Sequence, residues 1–217
     1  MSDVWSARAE AFRESEPHRE GADLDLVVEW CEPGEGVTAL DVATGGGHVA
    51  RRLRDAGCVV VTVDPAPGMQ PDVIARGEDL PFADESFDVV VCRIAAHHFP
   101  EIEAAVAEMA RVSRRLLVID DLIFDGEGVE EAHRLRDPTH VRSHSVEEWR
   151  DLVTAAGFEI EQVEVFGDRR LALEPWLDRV DVPSADRPRI RALLGDAADE
   201  TSVRMPLIVL QARKSQS

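Results

Sequence analysis

The 217-residue sequence contains no tyrosine, one lysine (Lys214) and three cysteines (Cys31, Cys58 and Cys92). The cysteines are odd in number and widely spaced, which fits neither a disulfide framework nor a structural zinc site. We expect all three to be reduced and buried.

No apolar run approaches the roughly 18 residues that a membrane span needs, and the acidic, polar N-terminus is unlike a signal peptide. The sequence therefore predicts a cytoplasmic protein without a membrane span.

Basic residues are scarce relative to acidic ones: 24 lysines and arginines stand against 43 aspartates and glutamates, for a formal net charge of −19. Such a chain repels a phosphate backbone, so we expect no nucleic-acid partner. The acid excess, with Lys214 as the one lysine, predicts adaptation to a salty cytoplasm, because salt shortens the Debye length and relieves self-repulsion. An acidic protein of an ordinary, low-salt cytoplasm is the alternative.

Strand-like apolar runs alternate with helical stretches along the chain. The runs cover residues 37–42, 59–63, 89–92, 116–119, 160–165 and 207–210. Their alternation predicts a mostly parallel sheet with helices on both faces. At roughly 100 to 200 residues per domain, residues 1–217 form one domain. Three segments fall outside the alternation, residues 1–30, 125–144 and 167–204, and we expect them to cap a ligand pocket at the carboxyl ends of the strands.

Local signals mark several helices between these runs. Residues 48–56 form an amphipathic helix that ends at Gly57, and Pro100 opens a second helix. Ser145 and Glu148 have the spacing of a capping box at the start of a third. These helices supply the core that packs on the sheet.

A buried strand runs into three glycines and a helix at residues 40–48, LDVATGGGH. Such a loop lets the backbone approach a ligand and offers helix N–H groups to an anionic moiety. Gly45, Gly47 and Ala50 satisfy the dinucleotide pattern, and Asp64 stands where a ribose-binding acid belongs. An NAD-dependent oxidoreductase is therefore one hypothesis for the function. Against it, the chain is too short for a separate substrate domain and cannot supply a Tyr-x-x-x-Lys proton relay.

Several further motifs occur in a fixed order: HREGADL at 18–24, LDVATGGGHVA at 40–50, VDPAPGM at 63–69, GEDLPFADESFDVVVCRIAAHHF at 77–99 and LRDPTHVRSHSVEEW at 135–149. With these motifs the sequence resembles the class I S-adenosylmethionine-dependent methyltransferases, and within them the ubiquinone/menaquinone C-methyltransferase branch. The resemblance covers roughly residues 15–165. It implies a single doubly wound, Rossmann-like α/β fold whose seven-stranded sheet is mostly parallel with an antiparallel final strand. The implied activity is transfer of a methyl group from S-adenosylmethionine to a small-molecule acceptor.

The resemblance also implies cofactor-binding residues. Asp41 supports the glycine loop, and Asp64 accepts hydrogen bonds from both ribose hydroxyls. The complete set is His18, Asp41, Ala43, Gly45, Gly47, Asp64, Pro65, Met69, Gly77, Glu78 and Arg93.

The sequence departs from this family in three places, one of which is the missing Pro-Gly-Gly turn before the fifth strand, where residues 111–115 run straight into Leu116. Arg76 stands where family members carry an acid or hydroxyl that meets the adenine amino group, and arginine offers only donors. Prolines at 65, 67 and 71 predict that the usual helix between Asp64 and Gly77 is missing or one turn long. These departures keep open a protein that binds the cofactor without turnover.

The candidate proton acceptors follow strands or lie in the capping segments. His97, His98 and Asp121 are the predicted catalytic residues; Asp120, His140 and His144 are further candidates. Because chain neighbours seldom face one cavity, we expect one of His97 and His98 to point into the core. His140 and His144 lack a helix and further ligands, so no metal site is predicted. Arg136 and Arg142 either bind an acidic substrate or form solvated ion pairs, and the oligomeric state stays open.

Overall fold

A computed structural model describes residues 2–215 of the chain, which form helices on both faces of one large sheet. The helices are α1 (Ser2–Glu14), α2 (Glu16–Arg19), α3 (Ala22–Trp30), α4 (His48–Asp55), α5 (Ile102–Val112), α6 (Glu127–Arg136), α7 (Val146–Ala155), α8 (Leu173–Asp178) and α9 (Arg187–Leu194). The strands are β1 (Thr38–Val42), β2 (Val59–Asp64), β3 (Val73–Ile74), β4 (Phe87–Arg93), β5 (Ser113–Leu122), β6 (Phe158–Phe166), β7 (Arg170–Ala172), β8 (Ser202–Arg204) and β9 (Leu207–Lys214).

The seven-stranded sheet has the order β3-β2-β1-β4-β5-β9-β6. The strands from β3 to β5 pair in parallel, whereas β9 pairs antiparallel with both β5 and β6. The predicted α/β fold, mostly parallel with an antiparallel final strand, is therefore confirmed. The strand order reverses between β1 and β4, and open sheets of this kind bind ligands beyond the carboxyl ends of the strands at such a point.

Alternate residues of the central strands supply the two cores. Val89 and Val91 of β4 face the helices α3 and α4, whereas Val90 and Cys92 face α5 and α7. The near-continuous apolar sequence of β4 follows from this double burial. All three cysteines are buried and free, as predicted.

A third core lies beyond the carboxyl ends of the strands and holds the capping elements together. Residues from α6, α8, α9 and β8 pack there around Trp176, which is 1% exposed, with Leu177 and Ile190. The short strands β7 and β8 pair as a separate antiparallel ribbon. In the segment 1–30, α1 contacts the loop at residues 67–69, whereas α3 packs on the sheet. The capping role of the three segments is part of the proposal below.

Local predictions for the connections can be compared with the structure. The capping box of Ser145 and Glu148 is formed at the start of α7, and Gly57 follows α4 with a positive φ of 93°. Residues 67–69 form only a short 3₁₀ turn, as the prolines predicted. Helix α5 begins at Ile102 rather than at Pro100. No helix within residues 2–215 is long and apolar enough to cross a membrane.

Candidate active site

The glycine loop joins β1 to α4 and is fastened by Asp41. One oxygen of this buried carboxylate accepts hydrogen bonds from Thr44 Oγ1 at 2.6 Å and from the Ala50 N–H at 3.2 Å. Burial raises the pKa of Asp41 to about 6, although the two hydrogen bonds favour the charged carboxylate and act in the opposite direction. Gly45 and Gly47 have φ values of 50° and 72°, which favour glycine. Asp41 therefore supports the loop, as the resemblance implied.

Asp64 ends β2 beside this loop. Its Oδ2 accepts the N–H of Gly45 at 3.0 Å, and its Oδ1 accepts the N–H of Ala66 at 2.9 Å. Burial nevertheless raises the pKa of the carboxyl group. A carboxylate oxygen can accept more than one bond, so each oxygen keeps capacity for one further donor. The geometry suits two neighbouring hydroxyl groups such as those of a ribose.

A cavity of about 450 Å³ opens between the glycine loop, Asp64 and helix α1. Its volume lies in the range of small-molecule sites, about 300 to 1,000 Å³. Of the predicted cofactor-binding residues, those that line it are His18, Asp41, Ala43, Gly45, Asp64, Pro65, Met69, Gly77, Glu78 and Arg93. Gly47 does not line it and instead precedes α4 as its N-cap. A side chain on Gly77 would come within 3.1 Å of the Phe99 ring, so the wall there accepts only glycine without rearrangement.

Trp5, Phe12 and Phe99 also line the cavity; Trp5 and Phe12 lie in the segment 1–30 that was expected to cap the pocket, but none of the three was predicted to bind the cofactor. The two aromatic residues of α1 meet edge to face, with ring centroids 5.5 Å apart. Nothing in the local sequence marks them as pocket residues, because helix α1 reaches the glycine loop only through the tertiary fold. Arg76 also lines the cavity, and its Nη2 donates to Glu78 Oε1 at 3.0 Å. Arg76, the departure from the family pattern, is thus paired with the glutamate of the same motif.

Arg93 connects β4 to the segment that precedes the sheet. Its guanidinium lies 2.5 Å from Asp23 Oδ2 and 3.0 Å from Asp120 Oδ2, and Nη1 donates to the His18 carbonyl at 2.9 Å. Asp120 is fully buried, and burial raises its pKa well above the ordinary value. The HREGADL segment is therefore held at the cavity by a buried pair of carboxylates around one arginine.

His97 is held by Asp121 from the neighbouring strand β5. The Asp121 carboxylate lies 2.5 Å from His97 Nδ1 and accepts the His97 backbone N–H at 2.7 Å. Asp121 is 1% exposed, and its carboxylate oxygens are engaged by His97 and by the Leu122 N–H at 2.8 Å. The prediction of Asp121 as a catalytic residue changes accordingly, because the carboxylate positions His97 instead.

Both neighbouring histidines line one small cavity, and His98 also lines the cavity beside the glycine loop. A 3₁₀ turn over Ala96–His98 brings the ring centroids of His97 and His98 within 4.1 Å. The expectation was that one of them points into the core and bonds the backbone; His98 does bond a backbone carbonyl, but both side chains line the small cavity. His98 Nδ1 donates to the Thr139 carbonyl at 2.9 Å, and burial lowers its pKa well below the ordinary value.

A second, small cavity of about 60 Å³ adjoins the first. The two share Trp5, Phe12, His18, Ile94 and His98 as lining residues. The second is further lined by His97, by His133, Arg136 and His140 from α6 and the loop after it, and by Arg169 and Arg179. Of the other candidates, His144 packs against Trp149 and Arg142 pairs with Glu148. Neither lines either cavity.

Glu130, His133 and His140 form a buried group whose ligand atoms lie within 4.8 Å of one another. Two histidines and one carboxylate are a donor set that divalent transition metals use. Glu130 Oε1 already accepts bonds from His140 Nε2 at 2.7 Å and from the Ser143 N–H at 3.0 Å. Burial would raise the pKa of Glu130, but the bond and charge of His140, the Ser143 N–H and the charge of His133 together outweigh burial and lower the pKa to about 2. The expectation that the protein uses no metal stays a prediction.

Comparison with known proteins places this site in a family. Residues 40–116 match the family described as "Methyltransferase domain". The uncharacterized methyltransferase YcgJ of Bacillus subtilis is 32% identical over 219 residues, covering 90% of this chain and 86% of that protein. The crystal structure of YcgJ matches with a TM-score of 0.81 at 26% identity, over 90% of this chain and 99% of that one.

Two further proteins extend the comparison. The demethylmenaquinone methyltransferase of Renibacterium salmoninarum is 37% identical over 99 residues, 41% of this chain and 42% of that protein. The magnesium protoporphyrin IX methyltransferase of Synechocystis, solved with bound S-adenosylmethionine, shares the fold with a TM-score of 0.57 at 17% identity over 88% of this chain and 78% of that one. The expected cofactor and reaction type are confirmed, and the chain belongs to the S-adenosylmethionine-dependent methyltransferases.

Proposed function

We propose that the protein methylates a small molecule, one end of which enters the second cavity while the rest extends toward the larger one, and that His97 accepts a proton from the acceptor. One observation carries this proposal: the imidazole of His97, oriented by Asp121, lines a cavity that adjoins the cofactor cavity. The shared wall of the two cavities is the place where cofactor and acceptor would meet. The capping segments enclose this place, which supports a small acceptor rather than a macromolecule.

The larger cavity suits S-adenosylmethionine. When bound, this cofactor supplies a methyl group on a sulfonium centre that is already activated for displacement. Asp64 would accept the two ribose hydroxyls, and the backbone of the glycine loop would approach the methionine part. Met69 and Pro65 offer apolar contacts, and Gly77 leaves room where a side chain would meet Phe99. The chain's contribution is mainly to hold the two reactants together, which in related reactions is worth a large effective molarity.

His97 is better placed for proton transfer than His98. With Nδ1 donating to Asp121, the Nε2 atom of a neutral His97 keeps a lone pair that can take a proton from an acceptor O–H or N–H. The carboxylate then stabilises the imidazolium that forms, because a charge-assisted bond is roughly twice as strong as a neutral one. His98 is held by a neutral carbonyl, and its lowered pKa makes it the weaker base. We therefore assign His98 to the wall between cofactor and acceptor.

The cellular setting belongs to the same proposal. The net charge of −19 supports a partner other than nucleic acid, and it supports adaptation to a salty cytoplasm. Both stay predictions, as does the cytoplasmic location.

The proposed function is tested in two stages. Calorimetry comes first: the protein should bind S-adenosylmethionine and S-adenosylhomocysteine and should not bind NAD. The protein is then incubated with methyl-labelled cofactor and a metabolite extract, and we expect label in a small, protein-free product. Cofactor binding without any labelled product would instead establish a binding protein that lacks turnover.

A further inference from the structure

Most arginines of this acidic protein are paired with carboxylates. Within the described part of the chain, those with no carboxylate oxygen within 4.0 Å are Arg13, Arg51, Arg136, Arg150 and Arg179. Three of the five are exposed to solvent, where water screens an unpaired charge. Arg136 and Arg179 are only partly exposed, and both line the second cavity. Unneutralised positive charge is therefore concentrated at this one place.

Arg136 is fixed in position by Trp176. Its guanidinium lies over the indole ring, 4.3 Å from the ring centroid, and its Nε and Nη2 atoms donate to the Trp176 carbonyl at 3.0 and 2.9 Å. The Nη1 atom makes no hydrogen bond to the described residues. Burial, followed by repulsion from Arg179, lowers the pKa of Arg136 to about 9. Such a group gains from an anion placed beside it.

The acids around this cavity are already engaged. Asp137 accepts bonds from Arg8 at 3.3 Å and from Thr139, and Asp121 is held by His97. His133, by contrast, is 6% exposed and neither of its ring nitrogens has a hydrogen-bond partner among the described residues. Among the described residues, the cavity therefore presents two arginines without a carboxylate partner and one unpartnered imidazole, while its one lining acid, Asp137, is bound through Oδ1 by Arg8 and Thr139.

We propose that the acceptor carries a carboxylate group, which binds between Arg136 and Arg179 and takes a hydrogen bond from His133. The proposal rests on the proposed function, since it assumes that one end of the acceptor enters the second cavity. Guanidinium groups match the planar geometry of a carboxylate. A carboxylate held at this end directs the rest of the acceptor toward His97, His98 and the cofactor cavity. The net charge of the whole chain opposes anion binding, which is why a local pair of arginines is needed.

The first arm of the test uses charge to sort the unknown acceptor. A metabolite extract is loaded on an anion-exchange column at about pH 11, where amino groups are largely neutral and amino acids are retained as well. The column is eluted first at low pH, where carboxylates are protonated below about 4, and then with salt, which releases phosphate esters. Each fraction is incubated with methyl-labelled cofactor. We expect acceptor activity in the low-pH fraction. Activity in the flow-through or in the salt fraction would overturn the carboxylate assignment while leaving the methyltransferase function intact.

Label in no fraction, with cofactor binding intact, would overturn the proposed function and this inference with it.

The second arm uses Arg179→Gln and Arg179→Lys, assayed with the active fraction. For Arg179→Gln we expect KM to rise at least about tenfold, kcat to stay within about threefold, and cofactor affinity to be unchanged; lysine should restore part of the loss.

Arg150→Gln is the matched control, because Arg150 is exposed, has no carboxylate partner among the described residues and lies outside both cavities. Its KM should equal that of the unmodified protein. Arg136→Gln should behave as Arg179→Gln does. If removal of the contact with Trp176 prevents folding, Arg179→Gln decides alone. An unchanged KM in Arg179→Gln would refute the proposal.

Discussion

The two adjoining cavities are built from different parts of the chain. The larger one is shaped mostly by loops that follow β1, β2 and β4, and its Asp41 and Asp64 carboxylates are each fixed by bonds from nearby N–H or O–H groups. The smaller one is lined by histidines and arginines from the end of β4, from α6 and from the segment around α8. Within the part of the chain that the structure describes, neither ring nitrogen of His133 has a hydrogen-bond partner. A fixed cofactor can be held by loop geometry, whereas recognition of one particular acceptor depends on side chains that the capping segments supply.

The largest expected effect separates the catalytic role proposed for the smaller cavity from cofactor binding in the larger one. His97→Ala should lower turnover by about 10² to 10⁴ fold, because the base that accepts the proton is lost, and should leave cofactor affinity within about threefold. Asp121→Asn should lower turnover less, since the imidazole stays in place but loses its charged partner. Labelled methyl transfer and calorimetry measure the two quantities. A joint fall in turnover, cofactor binding and melting temperature would mean that His97 is a packing residue.

The next effect concerns the larger cavity alone. Asp64→Ala should weaken binding of S-adenosylhomocysteine by about 1.5 to 3 kcal/mol, the range for hydrogen bonds to a charged group. Asp55→Ala, an exposed acid at the end of α4, is the matched control and should bind as the unmodified protein does. Calorimetry supplies both affinities. Equal affinities for the two variants would remove Asp64 from the ribose site.

A smaller effect tests the unpartnered histidine of the second cavity. Burial lowers the pKa of His133 to about 3 from an ordinary value near 6.5. The unfolded chain therefore binds one more proton than the folded chain between these two pH values. As far as this group is concerned, the free energy of unfolding is highest above pH 6.5. It falls by about 1.4 kcal/mol for each pH unit below that value. His133→Phe should remove the uptake of this one proton on unfolding, so the unfolding free energy should depend less steeply on pH. Urea titrations from pH 7 to about 5 measure this dependence for the variant and the unmodified protein. Parallel curves would show that another group binds that proton.

The smallest effect concerns the surface around both cavities. If the acid excess reflects a salty cytoplasm, the melting temperature should rise between about 0.1 and 1 M potassium chloride, most of it early, because the Debye length falls from about 10 to 3 Å. The many arginine–carboxylate pairs on the surface are themselves weakened by salt, so the gain should be a few degrees. A flat or falling curve would favour the low-salt alternative.

The sequence predicted the larger cavity well because its signals are local. A strand, three glycines, a helix and an acid after the next strand follow one another within residues 40–64, and each has a preferred backbone geometry. The same holds for the capping box of α7 and for the short turn at 67–69. By contrast, β3, β7 and β8 were not predicted, because strands of two or three residues contain no measurable alternation.

The smaller cavity was predicted only in part. His97, His98 and His140 were identified as candidates by their positions after strands or in a capping segment. His133 and Arg179 were not, because a charged or polar residue on a short helix is usually solvated, and only the tertiary fold shows that these two face one cavity. The positioning role of Asp121 was missed for the same reason, since its burial behind His97 depends on the pairing of β4 with β5.

The position of β9 between two strands that precede it in the chain has a consequence for synthesis of the protein. Strand β9 is formed by residues 207–214, yet it pairs with β5 on one side and β6 on the other. On the ribosome, the edge of β5 stays unpaired while the 84 residues between Leu122 and Leu207 are made, which takes roughly 4 to 17 seconds at about 5 to 20 residues per second, and β6 waits for a shorter time. Exposed edges of this kind invite pairing with other chains. A nascent chain stalled before residue 207 is therefore a form in which this protein would aggregate.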